Sequence, residues 1–559
     1  MTKKKTKTKR YKMSLVWLRR LAQFSSLAFF LFLVGRNNYP LDFALAPELY
    51  SRLSPLSAIT ASIAARTLLT LFWPSLFVLA SALLLGRAFC GWVCPLGTTI
   101  DLTDKLFPRR QEKPRAKPST TFKVKYLLLL GGLAGSILGV QFLGYLDPLS
   151  LAPRSYIIGI LTPLEMLSRW LLNLAKGAKW LLPAIKPVSA FAGKNIFSFI
   201  EPIFPHWYIF TIIILGISLL ALWRRRGFCR MLCPLGALLG ACSRLAPFSR
   251  SVENDDCKNC GICPSDCKMG AIAEDGVGTF SGECILCLNC RSSCKFGAVR
   301  FRFGNPRQRR QIAQEVVGSG PSRRAFIVSV GAGLALAAPR AFGLDIFLPA
   351  SIKHSPIRPP GALPEEQFLG ACIRCGQCMR VCITGGLQPT LLEAGAAGMF
   401  SPRLVPRIGY CEYNCNLCGK VCPSGAIKQL SLSEKQRFVI GLAEIDRNRC
   451  LPWAENKECL VCQEVCPLPQ KAILLQKAGE ESGFEGSGGK GEGQGFGGWK
   501  GGKGEEETQE KGAGGRPDRP VVLTELCIGC GICEKRCPLE GKSAITVSAQ
   551  SLRLNQPPD

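Results

Sequence analysis

Residues 257–267 read Cys-Lys-Asn-Cys-Gly-Ile-Cys-Pro-Ser-Asp-Cys, and residues 284–294 read Cys-Ile-Leu-Cys-Leu-Asn-Cys-Arg-Ser-Ser-Cys. Both are Cys-x2-Cys-x2-Cys-x3-Cys, the spacing that places one thiolate on each iron of a [4Fe–4S] cluster. Two such runs in succession predict a compact α+β two-cluster domain of bacterial ferredoxin type over residues 251–305. In such domains three closely spaced cysteines hold one cluster and the fourth reaches across to the other. Cys257, Cys260, Cys263 and Cys294 then form one set, and Cys284, Cys287, Cys290 and Cys267 the second. Lys268 and Lys295 stand where a proline usually follows the fourth cysteine. Two readings are open for them: cations that raise the cluster potentials, or solvated side chains.

Four more runs lie downstream: Cys372/Cys375/Cys378/Cys382, Cys411/Cys415/Cys418/Cys422, Cys450/Cys459/Cys462/Cys466 and Cys527/Cys530/Cys533/Cys537. The six runs take 24 of the 29 cysteines and predict six [4Fe–4S] clusters. A disulfide framework has no reason to repeat this spacing. Zinc needs only two Cys-x2-Cys pairs and would leave the third and fourth cysteines of each run unexplained. Four-cluster subunits commonly nest their runs, outer with outer and inner with inner. On that scheme Cys537 completes the cluster begun at Cys372 and Cys382 that of the last run, while Cys466 serves the second run and Cys422 the third.

The other cysteines are Cys90, Cys94, Cys229, Cys233 and Cys242. The first four lie in two copies of Phe-Cys-x3-Cys-Pro-Leu-Gly, which point to a duplicated two-span unit. Their four thiols are open to three readings: an additional metal centre, redox dithiols, or structural thiols. Cys242 reads as an inert buried thiol.

The net charge is +30. In a soluble protein that would suggest nucleic acid. Here the basic residues flank long apolar runs, which is a topology signal and not a nucleic-acid footprint. Residues 1–20 carry nine Lys and Arg and no acid, and residues 87–125 carry nine against three acids. Both belong in the cytoplasm. Apolar stretches near 21–35, 66–86, 126–143 and 207–223 approach the roughly 20 residues that cross a bilayer. The predicted fold is therefore an α-helical membrane domain of four spans over 1–245, carrying α+β ferredoxin domains. Residues 146–205 are expected outside, as amphipathic helices in the interface or as a soluble helix hairpin.

Residues 306–350 hold a basic stretch followed by Ser322-Arg323-Arg324-Ala325-Phe326 and a small-residue apolar run, a twin-arginine export pattern. That route carries folded cargo, as a metal-loaded domain requires. The segment becomes a fifth span, or it is cut near Ala335-Leu336-Ala337. Residues 360–478 plus 520–550 are then a periplasmic four-cluster domain. The Gly-, Glu- and Lys-rich segment 479–519 reads as a flexible linker. With His206 and His354 the only histidines, and no Cys-x2-Cys-His, no haem is expected. No Gly-x-Gly-x2-Gly follows a strand, so nicotinamide or flavin chemistry is unsupported.

Residues 15–300, with their four apolar stretches, two Cys-x3-Cys-Pro turns, Leu146-Asp147-Pro148-Leu149 and the ferredoxin pair, resemble the NapH and MauN membrane proteins. Residues 322–547 are similar to the NapG and MauM ferredoxins, through Cys372-Ile-Arg-Cys375-Gly-Gln-Cys378, Cys459-Leu-Val-Cys462 and Cys527-Ile-Gly-Cys530-Gly-Ile-Cys533. Two departures stand out: the halves are fused, and residues 479–519 are inserted. The resemblance implies a quinol dehydrogenase of the bacterial inner membrane. It would oxidise membrane quinol, expected to be menaquinol, and pass electrons to a periplasmic reductase or cytochrome.

Quinol oxidation needs a proton acceptor, for which Asp147, Glu201 and His206 are candidates beside their readings as helix caps or interfacial anchors. Two other functions remain in view. One is an assembly factor that reduces a metal or a disulfide in a respiratory enzyme, with the Cys-x3-Cys-Pro pairs as its working site. The other is a wiring subunit with no quinone site.

Overall fold

The computed structural model describes residues 2–39, 41, 45–106, 121–177, 187, 204–253, 255–304, 322–341, 356–477 and 517–549. The chain divides into two units, Met1–Ile440 and Gly441–Asp559. Glu201, His354 and nearly all of the predicted linker lie outside the described residues.

The first unit opens with helix Thr2–Arg36. Its 22 residues Leu15–Arg36 are apolar enough to cross a membrane and at 1.5 Å per residue extend about 33 Å, about the thickness of a bilayer core. Phe30, Leu33 and Val34 are fully buried, and Phe30 meets the Tyr50 and Tyr156 rings edge-on. Among the described residues the second helix long and apolar enough to cross is Pro148–Leu174. Asp147 caps it, accepting from Leu149 N at 3.2 Å and from Ser54 Oγ at 2.6 Å, and Pro148 fits its first turn. A π-helical stretch, Ser155–Leu161, interrupts it.

These helices revise the predicted spans. The 66–86 stretch is not one helix. Helix Pro55–Ala65 ends at Arg66 in the left-handed region (φ 53°), with Thr67 N donating to Ser62 O at 3.2 Å. A new helix, Ser75–Leu85, begins only after Pro74. The 126–143 stretch falls largely in helix Thr121–Ile137, which stops before Gly139. The 207–223 prediction coincides with helix Trp207–Trp223. Of residues 146–205, the described part holds helix Pro148–Leu174, whose second half, within Thr162–Gly177, is amphipathic; the remainder of the expected helix pair or hairpin lies outside the described residues.

Each Cys-x3-Cys-Pro segment folds as a short helix, a break, and a second helix: Ala88–Trp92 then Pro95–Leu106, and Gly227–Met231 then Pro234–Ser243. The proline needs no N–H donor at the first helical position. The preceding cysteine caps the helix with sulfur: Gly97 N donates to Cys94 Sγ at 3.5 Å and Gly236 N to Cys233 Sγ at 3.2 Å.

The first ferredoxin module is closed by β1 (Phe248–Val252) pairing antiparallel with β2 (Val299–Phe303), Val252 opposite Val299. Helix Arg323–Ala341, which carries the twin-arginine pattern, then lies along Thr121–Ile137. Their backbones touch: a Cβ on Gly333 would sit 2.0 Å from Gly131 O. Ser329 Oγ donates to Leu127 O at 2.6 Å, and Ala337 is fully buried. Small residues at such four-residue intervals are how helices approach closely in lipid.

The unit ends in a second ferredoxin module, with β3 (Leu387–Pro389) paired to β4 (Pro402–Leu404) and a bridge between Ala362 and Ile427. In the second unit β5 (Leu442–Ile445) pairs with β8 (Ile545–Ser548), and β6 (Ile473–Gln476) with β7 (Arg519–Val522). The distal cysteines therefore fall into two successive two-cluster modules rather than one nested domain.

Candidate iron–sulfur sites

Each Cys-x2-Cys-x2-Cys run needs a backbone that turns its three thiols to one side. It does so with residues in the left-handed region on either side of the middle cysteine: Asn259 and Gly261, Leu286 and Leu288, Arg374 and Gly376, Gly529 and Gly531. For Leu286 and Leu288 this conformation is strained and persists only when the surroundings impose it. The two widened runs do not share the pattern.

Cys257, Cys260, Cys263 and Cys294 line one cavity with Val252, Phe296 and Val299. Cys267, Cys284 and Cys287 pack around Met269, Ala271 and Ile285, with Cys290 in electrostatic reach. The first module thus brings together both predicted sets. Burial pushes the Cys284 thiol up to about 12 and that of Cys267 up to about 11. Thiols so placed stay protonated unless a metal takes the proton's place.

In the second module Cys372, Cys375 and Cys378 are buried with Cys422 beside them, while Cys382 lines a cavity with Cys411, Cys415 and Cys418. In the second unit Cys537 joins Cys450, Cys459 and Cys462, and Cys466 joins Cys527, Cys530 and Cys533. The nested pairing is therefore incorrect: each run exchanges its fourth cysteine with its neighbour in sequence. The strand pairs β3–β4, β5–β8 and β6–β7 impose this, and neighbouring runs also close the shorter loops.

None of the 29 cysteines is in a disulfide. Among the described residues no three His, Cys, Asp or Glu side chains close around a single ion. A four-iron cube takes one thiolate per corner iron and accepts wider sets of this kind.

Both modules of the first unit are anchored to its helices. At one end Lys268 pairs with Asp101 at 3.0 Å, and Gln23 Nε2 on the first helix donates to the same carboxylate at 3.0 Å. Lys268 is thus neither solvated nor spare. Arg87 and Lys125 pair with Glu283, and Trp92 Nε1 donates to Leu286 O at 3.1 Å. At the other end Asn37 Nδ2 donates to Gln377 O at 3.1 Å, Arg374 to Gln141 O at 2.9 Å, and Arg380 pairs with Glu165 at 3.0 Å. Gln23 and Asn37 are 14 residues apart, about 21 Å along the helix.

Of the candidate proton acceptors, Asp147 is fully buried and occupied as a cap, bonded also to Ser54 and Ser57. His206 begins helix Trp207–Trp223 without capping it and lies 3.3 Å from Tyr208 Oη. Sequence reasoning overlooked Arg87 and Arg226, which stand three residues before Cys90 and Cys229 in both copies of the repeat. Arg226 grips Asp101 through Nε and a terminal nitrogen, both at 2.9 Å. Cys90 and Cys229 both pack on the Met269–Ala271–Ile285 cluster. Cys94 and Cys233 are buried behind them, all four within electrostatic reach of one another.

Comparison with known proteins agrees with this chemistry. A family model described as a 4Fe-4S binding domain matches residues 67–114 and 203–252, and another of the same description matches 520–540. The methylamine utilization ferredoxin-type protein MauM of Methylorubrum extorquens is 31% identical over 239 residues, covering 42% of this chain and 92% of MauM. The ferredoxin-type protein NapG of Escherichia coli is 32% identical over 249 residues, covering 44% of this chain and 87% of NapG. A putative electron transport protein of Escherichia coli, YccM, is 31% identical over 191 residues, covering 33% of this chain and 42% of its own length. No solved structure matches. The chain carries [4Fe–4S] ferredoxin domains and belongs to the MauM and NapG family of ferredoxin-type electron-transfer proteins.

Proposed function

We propose that this chain is a membrane-bound relay that takes electrons from membrane quinol and delivers them to a periplasmic reductase or cytochrome. The observation that carries the reading is the first helix: it reaches one ferredoxin module through Gln23 and Asp101, which pairs with Lys268, and the other through Asn37. Six [4Fe–4S] clusters, each held by four of the 24 cysteines of the runs, would supply one-electron carriage without haem. The protein's part is to bury each set, fix its loop and hold the modules at opposite faces of the bilayer. The module of Cys257–Cys294 would face the cytoplasm, with the basic N-terminus. The modules beyond residue 341 would face the periplasm, helix Arg323–Ala341 serving as twin-arginine signal and anchor.

The test is reduction of the anaerobically purified chain by a menaquinol analogue, followed by the bleaching of cluster absorbance. Bleaching by dithionite but by no quinol would defeat the quinol step. The rival reading, an assembly factor, draws on the buried Cys-x3-Cys-Pro thiols. Deletion separates the two: an electron donor's absence leaves its target enzyme fully loaded but unfed, whereas a maturation factor's absence leaves it cofactor-deficient.

A further inference from the structure

We infer that Cys90, Cys94, Cys229 and Cys233 together hold a seventh iron–sulfur cluster, shared between the two halves of the membrane domain and standing between the two ferredoxin modules of the first unit. The inference rests on the ferredoxin sets being loaded with clusters, and it adds a centre that six runs do not provide.

Sharing follows from the contacts. Each turn offers only two thiols of the four that a cube needs, and the two halves grip each other's turns reciprocally. Arg226, from the second copy, donates to Cys90 O at 3.0 Å and to Gly97 O at 3.2 Å in the first. Arg87, from the first copy, lies on the second: a Cβ on Gly236 would sit 2.6 Å from its guanidinium and 3.3 Å from Cys233 Sγ. Both arginines are buried. The matched segments 67–114 and 203–252 likewise bring two of these cysteines each.

The donor set fits iron–sulfur chemistry. The nearby carboxylates are already engaged, Asp101 with Arg226, Lys268 and Gln23, and Glu283 with Arg87, Lys125 and Tyr126. That leaves the thiols as the open ligands. Cys94 and Cys233 each accept a backbone N–H, a bond that tunes cluster sulfur, and the buried Arg87 and Arg226 lie beside the set.

The place of the set along the first helix gives it a role. Arg19 lies within electrostatic reach of Cys287. Ser26 Oγ donates to Val93 O, inside the Cys90–Cys94 turn, at 2.6 Å. Asn37 bonds Gln377, between Cys375 and Cys378. The turn is thus about 10 Å along the axis from one module and about 16 Å from the other, within a separation of about 27 Å. On the near side Gly91 meets the ferredoxin loop directly, since a Cβ there would sit 2.2 Å from Ile285 O. On the far side Tyr50 is in electrostatic reach of Cys94, and Glu48 of Cys375. A one-electron carrier at this point exchanges electrons with the cluster on either side, one centre oxidised as the next is reduced, and no group is transferred.

The test counts iron and acid-labile sulfide in the anaerobically purified full chain and in three variants: Cys90→Ala/Cys94→Ala, Cys229→Ala/Cys233→Ala, and the quadruple. We expect about 28 irons in the natural chain, about 24 in either double variant, and no further loss in the quadruple. The ferredoxin EPR signals should persist in all of them, and electrons given to the cytoplasmic module should no longer reach the outer one. About 24 irons in the natural chain would overturn the inference while leaving the six-cluster reading intact, and an iron-free chain would sink both. Losses that add between the two pairs, a lost zinc, or thiols that oxidise reversibly to disulfides would overturn it too. The iron count of the natural chain decides the question even if the variants fail to fold.

Discussion

Arg226 and Asp101 form a two-point ion pair, Nε to Oδ1 and a terminal nitrogen to Oδ2, with neither side chain meaningfully exposed. Asp101 lies in the helix that follows the first Cys-x3-Cys-Pro turn and Arg226 just before the second, so the pair ties the two copies of the repeat together. Its carboxylate also receives Gln23 and Lys268, drawing the first helix and the first ferredoxin module to the same point.

Removing one partner of such a pair strands a buried charge at a cost of about 3–5 kcal/mol, whereas replacing both with apolar residues of similar size comes close to neutral. Asp101→Asn should therefore lower the thermal midpoint in detergent clearly, and Asp101→Leu/Arg226→Met/Lys268→Met, which removes every charge of the group, should recover most of the loss. If Asp101→Asn were as stable as the natural chain, the pair would not be the tie that its geometry implies.

Cluster pairing gives the second prediction. Cys422→Ser should disturb the cluster held by Cys372, Cys375 and Cys378, and Cys537→Ser the one held by Cys450, Cys459 and Cys462. EPR at defined potentials distinguishes them, because each variant should alter a different signal. Loss of the Cys372 cluster on changing Cys537 would restore the nested scheme.

That contrast shows which kinds of information the sequence carried. Within residues 257–294 the exchange of Cys267 and Cys294 was legible, because the two runs are adjacent and regular. For the distal runs, spacing identifies ligands but not which run packs on which. That is decided by strand pairing between Leu442–Ile445 and Ile545–Ser548, which cysteine spacing does not encode. Hydropathy likewise found Leu15–Arg36 and Trp207–Trp223 but merged residues 66–86 across the break at Arg66 and Pro74. It passed over Pro148–Leu174 because Arg154, Glu165 and Arg169 lower its average. Arg154 and Glu165 are in fact buried and partnered, Arg154 through its terminal nitrogens with Tyr145 O and Arg374 O, Glu165 with Arg169 and Arg380. Arg87 was counted as a topology charge, although it is buried against Glu283.

The third prediction concerns helix Arg323–Ala341. Ala335-Leu336-Ala337, the expected cutting point, lies inside the helix, and Ala337 faces its neighbour. The chain should therefore remain a single 60.8 kDa species in membranes, detected as one band by tags at both ends. Gly333→Leu, which forces a side chain against Gly131 O, should loosen the helix and expose it to protease. Two fragments from the natural chain would mean that the segment is a cleaved signal after all.

The last prediction tests the anchorage of the second module of the first unit. Glu165 receives Arg380 from that module and Arg169 from its own helix, and both Glu165 and Arg380 are about 5% exposed. Glu165→Ala would leave the Arg380 guanidinium without its carboxylate, at a cost of several kcal/mol concentrated at this contact. Because Asn37, Arg154 and Arg374 still hold the module, the expected result is local: faster amide hydrogen exchange through Gln377–Val381 and slower electron arrival at the clusters of this module, with iron content unchanged. Glu165→Gln should fall between the two, since it accepts a hydrogen bond without the charge. A uniform loss of protection across the first unit would instead make the pair part of the global fold, and unchanged exchange would mean that the remaining contacts carry the anchorage alone.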